Sequence, residues 1–303
     1  VRGDGARPAP RVRGVRLSYS ELRVAGCELV TPRMRRIVFD GDGLAAFTPV
    51  APDQQVKLFF ARDGGAPEVP DPPAALDDVA GWYQRYLALP DDRRPWMRTY
   101  PIRRHLPDER RVVVDFVLHG DGDGGHGGHD GPATAWAAGA RPGDVIGLYG
   151  PSVSHVRTPG AHDWKLFVGD ETALPAISAW LESLGPDDHA VVVAEVAGAS
   201  EEQALDSAAS VSVTWLHRDG VPAGRSGLLL GAVRAMSWPG GDVFAWVAGE
   251  ASVVREIRRH LVGERGLDRT AVTFAGYWRT HLAQDAAPTA EELADYADDV
   301  GSG

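Results

Sequence analysis

An Arg-x-Tyr pair opens the most informative stretch of the chain, Arg98-Thr99-Tyr100-Pro101-Ile102-Arg103. Alternation within a β-prone run puts Arg98 and Tyr100 on one face of a strand. A guanidinium forks onto phosphate oxygens, and a phenol ring offers a flat stacking surface. The pair therefore suits a ligand that carries both a phosphate and an aromatic ring. An apolar segment follows at residues 112–118, read as a buried strand, and then a glycine-rich loop at 120–131. Gly131-Pro132-Ala133-Thr134 runs into Ala135-Trp136-Ala137-Ala138 and reads as a helix start. Proline loses no donor in a first helical turn, and the free N–H groups there favour a phosphate. Arg-x-Tyr alone equally describes a surface charge beside a core ring; the order of the three features narrows the choice.

The glycine-rich loop also holds Asp121, Asp123, His126, His129 and Asp130. Histidines at i and i+3 near carboxylates can bind zinc or nickel. A glycine-rich loop gives such ligands no rigid support, so no metal site is assigned.

The elements that must position these residues fit a chain of 303 residues, enough for two ordinary domains, and the 44% apolar content allows a sizeable core. A net charge of −11 argues against a nucleic-acid partner or an anionic membrane surface. The single cysteine, Cys27, excludes an internal disulfide and a cysteine-built metal site, and it fits a reducing cytoplasm. No apolar run is long enough to span a bilayer.

Residues 1–15, basic and mixed with Pro and Gly, read as a flexible arm. Short β-prone segments at 17–24, 27–30, 35–39 and 55–60, punctuated by Pro and Gly, suggest a small antiparallel barrel. Residues 61–95 read as an insertion over that barrel with a helical patch at 77–89. Its Trp82, Tyr83 and Tyr86 can share a helical face, either to stack on a substrate or to pack on the barrel. Strand-like segments at 164–169, 191–196, 211–216, 242–248 and 271–278 then alternate with helix-prone ones at 201–209, 226–236 and 252–262 and after residue 174. This is the pattern of a parallel sheet with crossovers, here without a GxGxxG fingerprint. Residues 283–303 form an acidic tail.

The combined motifs resemble the siderophore-interacting proteins, or ferric-siderophore reductases, of the ferredoxin-reductase-like flavoprotein superfamily. The family pattern Arg-x-Tyr-(Thr or Ser)-x-Arg is matched by Arg98, Tyr100 and Arg103. An Asp-Phe-Val-Leu-His-Gly strand follows at residues 115–120, and a Gly-Pro-Ala-x-x-Trp-Ala helix start at residues 131–137. Residues 31–39 and 53–60 resemble two earlier strands. Trp246-Val247-Ala248-Gly249-Glu250 and Gly276-Tyr277-Trp278-Arg279 resemble the later signatures. The likeness spans roughly residues 16–280. It implies an antiparallel β-barrel flavin-binding domain at 16–157 and an α/β parallel-sheet nicotinamide-binding domain at 158–282, with FAD as cofactor and NADH or NADPH as donor. Arg98, Thr99, Tyr100, Pro101, Ile102, Asp115, His119, Gly131, Pro132, Ala133, Thr134 and Trp136 are implied flavin contacts. Asp170, Glu171, Thr172 and Ala173, in the turn from Gly169 to Pro175, are implied nicotinamide contacts together with Gly249 and Glu250. Glu250 equally reads as a helix-capping acid. Lys57 and Arg279 are implied contacts for a ferric siderophore or other small acceptor, and Lys57 also reads as a solvated strand lysine.

One residue departs from the pattern. Pro101 stands where the family has Thr or Ser, a position near the flavin N5, and proline brings neither hydroxyl nor N–H. The expected activity is FAD-dependent reduction of a ferric siderophore, releasing Fe(II). Two other readings stand beside it: a flavoprotein of the same fold recruited to natural-product tailoring, which Pro101 favours, and a non-catalytic FAD-binding protein.

Overall fold

The structure is a computed structural model that describes residues 17–71, 73, 79–118, 131–152 and 162–280. His119, the Asp/His loop, the basic arm and the acidic tail lie outside the described residues.

The first half forms a curled antiparallel sheet. Its seven strands are β1 (Ser18–Thr31), β2 (Met34–Asp40), β3 (Gln55–Phe60), β4 (Trp96–Pro101), β5 (Arg104–Leu106), β6 (Arg111–Val117) and β7 (Val145–Gly150). They lie in the order β4-β3-β7-β1-β2-β6-β5. The two edge strands are consecutive in the chain, joined only through Ile102 and Arg103. The Ile102 N–H donates to Gln54 O at 2.7 Å on one side, and the Arg103 N–H donates to Val113 O at 2.9 Å on the other. The chain thus brings both edges of the sheet to one corner and curls it, which also leaves few open edge groups.

The segments expected at 17–24 and 27–30 are one strand, because the β1–β2 ladder continues past a register shift between Val24 and Gly26. Inside the curl, Leu22, Ile37, Phe39, Val56, Leu58, Phe60 and Phe116 form the core. Helix α2 (Pro132–Gly139) packs on it through Ala133 and Ala137. Helix α1 (Val79–Leu87) covers the opposite surface, where Trp82 and Tyr86 are buried against Phe59 and Tyr149. Barrel packing is thus the role of those rings.

The second half is a parallel sheet in the order β10-β9-β8-β11-β12. Its strands are β8 (Trp164–Asp170), β9 (His189–Val196), β10 (Ser210–His217), β11 (Val243–Glu250) and β12 (Val272–Trp278). Helices α3 (Leu174–Glu182), α4 (Leu228–Ala235) and α5 (Ala251–Arg259) connect them. β8 and β11 are buried along their whole length, as expected of central strands covered on both faces.

The helix expected at 201–209 does not form. Only a 3-10 turn, Ala199–Glu201, is present, followed by extended chain. Tertiary contacts override local propensity here. Glu201 accepts from Thr31 Oγ1 at 2.5 Å and from Arg33 N at 3.1 Å, and Ser207 Oγ donates to Leu181 O at 2.7 Å.

Among the described residues no helix is long and apolar enough to cross a membrane.

Candidate active site in the crevice between the two sheets

On β4, Arg98 lies opposite Leu58 and Tyr100 opposite Val56, so both share the face on which the barrel core packs. The Tyr100 ring centroid is 4.6 Å from that of Phe116, and burial pushes its phenol above the usual range. Phe116 also meets Trp136 of α2 at 6.1 Å, so Tyr100 and Trp136 flank one ring. Trp136 itself faces the barrel core, stacking on Phe39 and leaning on Phe60.

Helix α2 begins at Gly131 with Pro132 in its first turn, and no side chain caps it. Ala133 is buried, and Thr134 Oγ1 donates to Val117 O at 3.3 Å. An uncapped helix start beside an Arg-and-Tyr strand face provides what a flavin dinucleotide needs: donors for its pyrophosphate and a ring for its aromatic part. The residues present therefore fit FAD.

The other proposed barrel contacts stand differently. Thr99 and Lys57 are cross-strand partners on the face opposite Arg98 and Tyr100, with Lys57 Nζ donating to Thr99 Oγ1 at 2.6 Å. Lys57 is half-buried, and desolvation lowers the pKa of its amine. Ile102 is packed into the barrel core. Asp115 is buried, and its two oxygens accept from Arg36 Nε at 2.8 Å and Nη2 at 2.7 Å, a fork to a carboxylate that gave no sign in the sequence. Pro101 ends β4 buried, opposite Gln55, where its missing N–H is at the end of the ladder.

In the second half, the carboxyl ends of β8, β11 and β12 meet at Asp170. Its Oδ1 accepts from the N–H and hydroxyl of Thr172, and its Oδ2 accepts from Trp278 Nε1 at 2.7 Å and from the Glu250 N–H at 3.0 Å. Burial, with Glu171 adjacent, raises its carboxyl pKa to about 7 against these donors. Two glycines make the convergence possible. A Cβ on Gly169 would stand 2.4 Å from Ala173 Cβ, and one on Gly249 (φ 144°) 2.6 Å from Asp170 Oδ2.

Glu250 caps α5, accepting from Ser252 N at 2.7 Å and Val253 N at 3.0 Å, and its Oε1 accepts from Thr280 N at 3.2 Å. These bonds hold its pKa below the usual carboxylate range against the burial that raises it. Its capping role is therefore visible, and it also fixes the segment bearing Arg279, which is half-buried directly after Trp278. Ala173 is fully buried, and Glu171 forks onto Arg218.

The two halves are latched by bonds that sequence inspection missed. Trp246 Nε1 donates to Asp53 Oδ2 at 2.8 Å. Arg103 and Arg104 both donate to Glu182, at 2.6 and 2.8 Å. The buried Tyr277 phenol has Asp53 and Gln55 as polar neighbours. Such pairings join residues far apart in the chain, and no local periodicity announces them.

A curled antiparallel sheet with a phosphate-ready helix start, followed by a parallel sheet with a tight first turn, defines a ferredoxin-reductase-like flavoprotein. Models of the siderophore-interacting FAD-binding domain and of the siderophore-interacting protein match residues 23–155 and 162–281. An uncharacterized protein of Mycobacterium tuberculosis is 37% identical over 264 residues, covering 82% of this chain and 86% of the relative. The crystal structure of a siderophore utilization protein from T. fusca superposes with a TM-score of 0.75 at 34% identity, covering 89% of this chain and 96% of that one. The NADPH-dependent ferric-chelate reductase of Escherichia coli is 29% identical, covering 86% of this chain and 93% of the relative. The chain belongs to the siderophore-interacting protein family, as an FAD-binding oxidoreductase homologous to ferric-chelate and ferric-siderophore reductases.

Proposed function

We propose that the protein reduces a ferric siderophore with electrons from NADH or NADPH, in the cytoplasm, and so releases Fe(II). The observation that supports this most is the contact between the two half-sites. Pro101, at the end of the Arg98–Tyr100 strand, pairs with Gln55, and Gln55 adjoins Tyr277 at the end of the parallel sheet. When bound, FAD supplies the exchange between a two-electron hydride donor and a one-electron metal acceptor.

The chain's own residues bind and orient. Arg98 and the first turn of α2 hold the pyrophosphate, and Tyr100 supplies the stacking ring. The turn Gly169–Ala173, pinned by Asp170 to Gly249 and Glu250, shapes the floor on which a nicotinamide rests. Lys57 and Arg279 offer cationic groups to an anionic ferric chelate. No side chain needs to act as acid or base, because iron is freed by its change of charge. Fe(III) is the harder ion, and Fe(II) is held less tightly by hard oxygen donors.

Pro101 supports a second reading, in which the same machinery serves another acceptor, since the position carries no hydrogen bond donor. One assay separates the two. FAD-loaded protein, a reduced nicotinamide dinucleotide and a ferric siderophore are mixed without oxygen in the presence of a chromogenic Fe(II) chelator. Colour that requires all three components is the expected result. Oxidation of the dinucleotide by other acceptors, with no colour from any ferric chelate, would move the assignment to the second reading.

A further inference from the structure

A small cavity lies where the two halves meet. Thr31 and Arg33 line it from the barrel side, and Glu171, Glu201 and Gln203 line it from the second half. The space open to a water-sized sphere is about 10 Å³, the room that one water molecule needs. Gln203 lies on the extended chain that follows the turn at Ala199–Glu201. Its Nε2 is shut off from solvent and has no hydrogen-bond partner among the described residues.

A buried amide nitrogen without an acceptor carries the full penalty of leaving water. Its neighbours in the cavity are acceptors with capacity to spare. A carboxylate offers about four acceptor sites. Glu201 accepts from Thr31 Oγ1 and the Arg33 N–H, and Glu171 accepts from the two terminal nitrogens of Arg218. Neither set of bonds fills its carboxylate. A donor and two acceptors around a space of this size call for an occupant that both accepts and donates, and water does so. A small cation would face the N–H of Gln203 with the wrong polarity, and an apolar group would leave Nε2 unpaired.

We infer that this cavity binds one long-lived water, which accepts from Gln203 Nε2 and donates to Glu201 and Glu171. The water joins the Glu201 latch on the β1–β2 turn to the first turn after β8, where Glu171 lies. Gln203 is thereby a positioning residue, because it reaches the latch and the turn through the water. The inference stands apart from the choice of electron donor or acceptor.

The test has three readouts. Crystals of the FAD-loaded protein, at a resolution that shows ordered water, should hold one peak in this cavity within hydrogen-bond reach of Gln203 Nε2. A soak in rubidium chloride should leave that peak without anomalous signal. An empty cavity overturns the inference, and so does a peak that turns anomalous, since the amide would then present its oxygen to a cation. Gln203→Met keeps the length of the side chain and removes the donor. Losing a water bridge should lower the thermal midpoint by roughly 2–4 °C. If Nε2 were buried dry, the same substitution would remove an unpaired donor, so a midpoint that is unchanged or higher overturns the inference. General destabilisation leaves the number of trapped waters as it was. Magnetic relaxation dispersion of the water oxygen should count one fewer long-lived water in Gln203→Met, and an equal count overturns the inference. Should the variant not fold, the crystals of the unaltered protein decide.

Discussion

Asp170 ties three chain segments together with one carboxylate, and its titration is open to test. Its folded pKa of about 7 lies above the ordinary aspartate value of 3.8. The folded state therefore holds a proton that the unfolded chain gives up. The resulting stability is full below the unfolded value and is lost as pH rises through about 7. Between pH 6 and 8 roughly 1 kcal/mol should disappear, seen as a falling thermal midpoint. Asp170→Asn should flatten that fall; an unchanged slope would assign it to other groups. The proposed role of Arg98 is different, a contact made with the ligand. Arg98→Ala should weaken FAD binding roughly ten- to hundredfold in a fluorescence titration with little change in the apo-protein's melting, since the interaction lost is a charge-assisted hydrogen bond to phosphate. Unchanged FAD affinity would contradict its placement. Arg98 and Tyr100 were legible in the sequence because strand alternation is local. The Arg36–Asp115 and Arg218–Glu171 forks were not, because each joins residues on different strands. For Arg218 a faint signal existed: an arginine two residues past the expected strand at 211–216.

At the level of elements, the site depends on how closely β8 and β11 approach at their carboxyl ends. Gly249 has φ 144°, and any Cβ there would strike Asp170 Oδ2. Gly249→Ala should cost about 2 kcal/mol or more in denaturant unfolding and displace the start of α5. A variant as stable as the parent would show that the turn relaxes freely. β8, β9 and β11 were readable because buried parallel strands are continuous apolar runs. The connection between β9 and β10 was misread as helix. Residues 201–209 carry helix-favouring types, but their contacts are made with the barrel and with α3 instead. The aromatic patch of α1 was read both ways, and packing settled it: Trp82 stacks on Tyr86, and both meet Phe59.

Across the whole molecule, the proposed transfer between two cofactors requires that the halves hold a fixed relation. Glu201, in the turn after β9, reaches Thr31 and Arg33 of the first half, Glu182 at the end of α3 reaches Arg103 and Arg104, and Trp246 on β11 reaches Asp53. Glu201→Ala would leave the Thr31 hydroxyl and the Arg33 N–H without this acceptor. It should cost about 2 kcal/mol, and the loss should appear as an earlier first transition in calorimetry if the halves then melt apart. An unaltered single transition at the parent temperature would mean the latch contributes little. The two-part architecture followed from the order of the motifs, whereas the latches follow only from the folded chain. The central claim is that this crevice passes electrons from a nicotinamide to ferric iron. Its most direct test is an anaerobic absorbance series on the FAD-loaded protein, taken before and after reduced dinucleotide and then after a ferric siderophore. Flavin bands that bleach with the dinucleotide and recover with the ferric siderophore are the expected result. Bands that never bleach, or that bleach and stay bleached with every ferric siderophore supplied, would contradict it.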